Sequence, residues 1–198
     1  MQSWKRPLDL VLVIVTLPIS IPILTLCILL SMLDGGPAFY RQPRVGRGGR
    51  AFQMLKLRTM RVNAERQLTE ILMSDPHAAI EWQQTQKLRR DPRITIIGKM
   101  LRKSSLDELP QIWNVLKGEM SLVGPRPMLR EQVGMYPGLA YFRLRPGITG
   151  PWQVFGRNDA SFASRAKYDA MYEREMSIRN DLSLIVRTVG VVFGGTGH

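Results

Sequence analysis

The stretch from Leu8 to Leu33, LDLVLVIVTLPISIPILTLCILLSML, carries no charge between Asp9 and Asp34. It is apolar on every face, which marks a membrane segment and not the amphipathic helix of a soluble core. The run is too long for a cleaved signal peptide, and no small-x-small site follows it. As one straight helix, these 26 residues would rise about 39 Å, enough to cross a hydrocarbon core of about 30 Å. Pro18 and Pro22 stand near its middle. Each removes a backbone donor and disfavours helical geometry in the residue before it. Broken at Pro22, the halves would measure about 21 and about 18 Å, and neither crosses alone.

The flanks point the same way. Lys5 and Arg6 precede the segment, and Arg41, Arg44, Arg47 and Arg50 follow it. Positive charge marks the cytoplasmic side. A hairpin that enters and leaves by one face satisfies both ends, whereas a Pro-kinked spanning helix satisfies only one. The sequence therefore predicts a re-entrant helix-break-helix over residues 1–36, broken at Pro22, with Ser20 placed to bond a carbonyl the proline frees. Residues 37–198 are predicted to form one compact cytoplasmic domain on the membrane surface.

The chain has 198 residues with 28 Lys and Arg against 16 Asp and Glu, a net charge of +12. That surplus calls for an anionic partner: nucleic acid, a phosphorylated substrate or anionic lipid. The membrane segment already accounts for it at a lipid surface, so no nucleic acid is expected. A single Cys, Cys27, excludes an internal disulfide framework, and with only His77 and His198 there is no zinc site. A metal here would be a hard cation held by carboxylates.

Beyond the segment the reading is α+β, mostly α. Ala38–Arg41 and Ala51–Leu57 pair around a glycine-rich turn, with Lys56 and Arg58 on one face of the second run. Residues 63–93 form one or two polar helices broken at Asp75-Pro76. ITIIGKMLRKS gives a short amphipathic helix or a strand-to-helix piece, and two more helices follow in FASRAKYDAMYEREMS and DLSLIVRTVGVVF, the second capped by Asp181. RPGITGPWQVFGR reads as a turn-rich loop carrying Arg145 and Arg157 at its ends as further candidate phosphate-binding residues, and its Trp152 could stack on a base or ribose or pack in the core or at the membrane interface.

Ser105-Leu106-Asp107-Glu108 fits S-x-x-E, a capping box before the apolar face of LPQIWNVL. On that reading Glu108 caps a helix and Asp107 complements its dipole. The same place suits chemistry. A helix start keeps an aspartate ionised, as a nucleophile must be, and its amides receive phosphate. Asp107 and Glu108 could hold Mg²⁺, with waters and phosphate oxygens completing the shell. Lys56, Arg58, Arg93, Arg102 and Arg126 supply counter-charge nearby. Arg126 lies between two prolines in Gly124-Pro125-Arg126-Pro127, which limits the entropy lost when its guanidinium grips an oxyanion.

Taken in order, KRPLD, the Pro-broken apolar run, GPAFYRQPRVGRGGRAFQMLKLRTM, DPRIT, SSLDELPQIWNVLKGEMSLVGPRP, RPGITGPWQVFGR and DLSLIVRTV resemble the bacterial sugar transferases, the monotopic polyprenyl-phosphate hexose-1-phosphate transferases, over nearly the whole chain. The resemblance implies transfer of a sugar 1-phosphate from a UDP-sugar to undecaprenyl phosphate with release of UMP, dependent on Mg²⁺. It implies that Asp107 is the nucleophile of a phosphosugar-aspartyl intermediate and that Glu108 serves metal and proton handling. It places Arg58, Arg102 and Arg126 around the phosphates, and both ends of the hairpin at the cytoplasmic face of the bacterial inner membrane. A homodimer is compatible with it. The insert at residues 61–90 is similar to the galactose and glucose branch of exopolysaccharide and O-antigen synthesis. The additional membrane helices of larger members are not found. Ile21 stands where members often carry Ser, Pro18 is an extra proline, and Pro151 and Phe155 depart from the usual loop. Two other readings predict different outcomes. A membrane-tethered scaffold would be indifferent to Asp107→Ala, and a conventional glycosyltransferase would release UDP.

Overall fold

The computed structural model describes residues 2–85, 88–156 and 162–193. Helix α1 (Lys5–Leu33) runs through both Pro18 and Pro22. The expected non-helical break at Pro22 is not formed, and Ser20 makes no side-chain hydrogen bond to a freed carbonyl. The physical reason lies in the docking of α1. Lys5, Asp9, Val13, Cys27 and Ser31 are buried, and Leu17, Ser20 and Leu24 between them are partly buried. Spaced by three or four, these residues make one stripe against the domain. Packing along that stripe offsets the backbone bond each proline removes.

Both ends of α1 are tied to the domain. Lys5 Nζ lies 2.5 Å from Asp181 Oδ2 and 3.6 Å from Asp9 Oδ1. Asp9 in turn accepts from Ser121 Oγ and the Leu122 amide. At the other end, Ser31 Oγ donates to the Arg58 carbonyl and Arg58 Nη2 donates to the Ser31 carbonyl, at 3.0 and 3.1 Å. Most of the remaining helix surface is apolar and exposed, including Ile14, Val15, Ile19, Ile21, Leu26 and Leu33. By length and composition α1 is sufficient to cross a membrane.

Strands β1 (Phe39–Val45) and β2 (Ala51–Leu57) form the predicted antiparallel ribbon, paired from Phe39 with Leu57 to Val45 with Ala51. β1 extends past the predicted Arg41 and across Pro43, which a two-stranded ribbon tolerates because one edge of each strand is free of ladder bonds. Phe52 and Met54 of β2 join Val13, Val115 and Met120 in one core cluster, and Leu57 joins Cys27 and Leu101 in another. Helices α2 (Ala64–Ser74) and α3 (Pro76–Thr85) divide at Asp75-Pro76 as predicted.

Helix α4 (Ile96–Lys103) is capped by Thr95, whose hydroxyl accepts from the Gly98 amide at 2.8 Å. Gly98 packs so closely on Thr59 that a Cβ would stand 2.0 Å from its carbonyl oxygen. A 3-10 turn, Leu106–Glu108, leads into α5 (Gln111–Lys117). Strands β3 (Ser121–Val123) and β4 (Gly147–Thr149) pair in parallel, β4 inside the segment that reads as a turn-rich loop and β3 where the sequence assigns no strand. At three residues each they are too short to show alternation. Gly124 closes this junction, since a Cβ there would meet the Arg145 carbonyl oxygen at 2.3 Å. A short α6 (Ala140–Arg143) and a π-helical turn (Trp152–Gly156) follow, then α7 (Arg165–Glu175) and α8 (Ile178–Phe193). Asp181 does not cap α8, which begins three residues before it. Ser177 Oγ accepts from the Asn180 amide, while Asp181 is buried against Lys5 and Tyr172.

Candidate active site

The site is built where β2 passes the 3-10 turn. Asn114 of α5 holds β2 in place: its Oδ1 accepts from the Leu55 amide and its Nδ2 donates to the Gln53 carbonyl. Lys56 has the strand parity of the buried Phe52 and Met54, so its stem runs inward to the turn. Lys56 Nζ donates to Glu108 Oε1 at 2.7 Å and lies 3.9 Å from Asp107 Oδ2.

The capping box is not formed. Ser105 adopts a left-handed conformation (φ 55°, ψ 16°), and its side chain makes no capping bond. The Glu108 amide instead bonds the Ser105 carbonyl, closing the turn through the backbone. Helix α5 starts only after Pro110. Asp107 and Glu108 are therefore freed from capping and directed at cations.

Asp107 is only 8% exposed. Burial raises its pKa to about 6; Lys56 pulls it down, the Glu108 charge pushes it up, and Arg102 and the residue's own amide oppose burial. A helix start was expected to keep this acid ionised. The structure corrects that: the acid is poised near neutrality by burial, with cations working against it. Arg102 is held for this task by its Nε–H bond to Thr59 Oγ1 at 2.8 Å, across the close contact at Gly98. Burial lowers the Arg102 pKa, and Asp107 is the first charge that opposes the shift.

Arg58, Arg93 and Arg145 are engaged elsewhere. Arg58 donates to the carbonyls of Pro37, Met60 and Ser31. Arg93 is buried in a two-pronged bond to Asp91, at 2.8 and 2.6 Å, with Trp82 over its guanidinium. Arg145 donates to the Gly118 carbonyl at the end of α5. Arg126 is exposed, 5.6 Å from the Trp152 ring centroid. Arg157 lies outside the described residues. Sequence reasoning missed Arg44 and Arg165. Arg44 lies close enough to Glu108 for that carboxylate's charge to support its protonation, and Arg44, Arg126 and Arg165 interact electrostatically. The Gln42-Pro43-Arg44 run beside the glycine turn was the available signal, and it was read only as flanking charge.

Among the described residues no group of three or more His, Cys, Asp or Glu is arranged to hold a metal. Asp107 and Glu108 offer hard oxygen donors, which suits Mg²⁺ when substrate phosphates and water complete its shell. Lys56 contacts both acids, so a cation would share or displace that contact.

The fold and site define a class: an α+β domain bound to an apolar N-terminal helix, presenting a buried, cation-flanked carboxylate suited to phosphoryl chemistry. The bacterial sugar transferase family model matches residues 1–195, and the chain belongs to that family. It is 47% identical over 195 residues to the UDP-galactose-lipid carrier transferase of Erwinia amylovora, covering 98% of this chain and 41% of that protein. It is 44% identical over 191 residues to the exopolysaccharide production protein ExoY of Sinorhizobium fredii, covering 95% of this chain and 84% of that protein. The undecaprenyl-phosphate galactose phosphotransferase of Salmonella typhimurium is 43% identical over 195 residues, 98% of this chain and 41% of that protein. The chain thus spans about two fifths of the Erwinia and Salmonella proteins.

Proposed function

We propose that this chain transfers a hexose 1-phosphate from a UDP-sugar, galactose or glucose, to undecaprenyl phosphate, releasing UMP. The observation that carries this reading is Asp107: buried, with a pKa near 6, and electrostatically coupled to Lys56 and Arg102. In the first half-reaction a carboxylate oxygen of Asp107 attacks the sugar-bearing phosphorus. The phosphorus–oxygen bond to UMP breaks, and UMP leaves with that electron pair. In the second, an oxygen of the lipid phosphate attacks the same phosphorus and displaces Asp107 as free carboxylate. Lys56 and Arg102 stabilise charge on the phosphoryl oxygens in both steps. Mg²⁺ held by Asp107 or Glu108 with phosphate oxygens would add to that neutralisation. Splitting one transfer into two predicts ping-pong kinetics.

The docked helix supports a monotopic placement at the cytoplasmic face of the inner membrane. With both ends of α1 fixed to one domain, the continuous helix lies along that domain and turns its apolar outer faces toward lipid on one side of it. Ile96 and Met100 of α4, Trp113 of α5 and Val186 of α8 are also exposed, as expected of a surface that rests on lipid. The relatives' names favour galactose as the first donor to try.

The test is product analysis with the purified chain, undecaprenyl phosphate and a panel of labelled UDP-hexoses, with Mg²⁺ or with a chelator. UMP and a lipid-linked sugar diphosphate are expected, only with Mg²⁺. Release of UDP would establish a conventional glycosyltransferase instead, and the absence of turnover with every donor would favour a scaffold.

A further inference from the structure

Beyond Glu108, three arginines from distant parts of the chain converge. Arg44 comes from β1, Arg126 from the loop between its two prolines, and Arg165 from the first turn of α7. Trp152 gathers two of them: its ring centroid lies 4.2 Å from the Arg165 guanidinium carbon and 5.6 Å from that of Arg126. Phe162 backs Arg165 at 4.6 Å. Such ring contacts orient a guanidinium without consuming its donors.

Among the described residues those donors lack anionic partners: no ion pair is made by Arg44, Arg126 or Arg165. The Nε–H groups of Arg44 and Arg165 are buried with no hydrogen-bond partner among the described residues. Arg44 otherwise reaches Gln42 Oε1 at 2.7 Å and the Pro127 carbonyl at 3.4 Å. Among the described residues the counter-charges that act on them are weak. Asp169 acts on Arg165, but its Oδ2 is occupied by the Tyr136 hydroxyl at 2.8 Å and burial raises its pKa to about 6. Glu108 acts on Arg44 but is already bonded to Lys56. Burial and mutual repulsion push Arg165 down to about 10 and lower Arg44 as well. A buried donor left unmade is costly, and so is a cluster of like charges. An arriving oxyanion relieves both.

We propose that Arg44, Arg126 and Arg165, the last two aligned by Trp152, form a second oxyanion cradle that takes a phosphate group other than the one Asp107 attacks. Its ligand follows from the phosphoryl-transfer reading and has two sources: the phosphate of the outgoing nucleotide, or that of the acceptor lipid. The cradle itself stands on the arginine geometry alone.

The experiment titrates the full chain, in lipid nanodiscs, with inorganic phosphate and with UMP by calorimetry. Arg44→Gln, Arg126→Gln and Arg165→Gln are each expected to weaken binding about tenfold or more, as loss of a charged hydrogen bond does. Arg165→Lys should recover only part, and Arg66→Gln on α2 should match the wild type. Arg126 is exposed, so its variant keeps the test valid if Arg165→Gln unfolds. Dissociation constants within twofold of wild type for Arg126→Gln and Arg165→Lys overturn the cradle, as does failure of the wild type to bind either probe. UMP release from the UDP-sugar without acceptor then assigns the source. A slower first turnover means the nucleotide phosphate, and a raised KM for the lipid with an intact first turnover means the acceptor. Loss of probe binding in the variants of a chain that makes no UMP would overturn the proposed reaction and leave the cradle standing.

Discussion

Lys56 Nζ is bonded to Glu108 at 2.7 Å yet stands 3.9 Å from Asp107. One ammonium thus answers two neighbouring acids unequally. Glu108 takes the direct bond, and Asp107 is left with a charge to lower its pKa and no donor from Lys56 to occupy its oxygen. That division suits a nucleophile, whose attacking oxygen must stay free.

Asp107→Asn tests the consequence. The folded-state pKa of Asp107, about 6, lies above its ordinary value of 3.8, so the folded chain binds this proton more tightly than the unfolded chain. The resulting stabilisation is fully present below the unfolded pKa and is lost as pH rises through about 6. At pH 7.5 the ionised acid is a burden on the fold. Asp107→Asn should abolish UMP formation while raising stability by about 2 kcal/mol, seen as a higher melting temperature. The gain should vanish near pH 4. The wild-type rate should climb with pH through about 6 as the nucleophile ionises. A variant that is both inactive and less stable at pH 7.5 would contradict this account of the site.

Lys56→Gln removes the cation that does most to hold Asp107 ionised. The rising limb of the pH–rate profile should move above 6, and the rate at pH 7 should fall by about ten- to a hundredfold. Steady-state profiles of the two proteins decide it. An unmoved limb with a lower plateau would mean that Lys56 acts on the substrate alone.

Ser105 separates the turn seen here from the capping box its neighbours suggest. A capping serine replaced by glycine loses a few tenths of a kcal/mol. A non-glycine residue at φ 55° is strained, and glycine relieves it. Ser105→Gly is therefore expected to stabilise the chain by about 0.5 kcal/mol in denaturant melts, with activity retained. A loss of stability would restore the cap.

Much of the scaffold was legible because its signals are local. The glycine turn set the ribbon, Asp75-Pro76 divided α2 from α3, and the apolar periodicity of ITIIGKMLRKS marked α4. What failed depended on tertiary contact. The β3–β4 pair is fixed by backbones meeting at Gly124, which no three-residue pattern announces. At Ser105 the S-x-x-E pattern is present, but Lys56, far away in sequence, draws Glu108 out of the cap. The acid pair was found because it is adjacent in sequence. Arg44 and Arg165 were not, because only the fold brings them together.

Lys5 carries the N-terminal anchor of α1. It faces Asp9 and Asp181, all three nearly inaccessible to water. Lys5→Met leaves two carboxylates buried without their cation, and should cost about 3–5 kcal/mol. Unfolding in a mild denaturant series measures this, and a change below about 1 kcal/mol would show that the end of α1 is not held by this pair.

The two anchors of α1 also predict its topology. Lys5 binds α8, and Ser31 exchanges hydrogen bonds with Arg58, so both helix ends belong to one surface of one domain. A helix spanning the bilayer would carry those anchors to opposite sides of about 30 Å of hydrocarbon. Single cysteines at Gln2 and Pro37, both exposed, placed in a Cys27→Ala chain, report the outcome. A membrane-impermeant maleimide should label neither in intact spheroplasts and both in inverted vesicles. Labelling of one site from each side would make α1 a spanning helix, and the contacts of Lys5 with Asp181 and of Ser31 with Arg58 could not then exist in the same molecule.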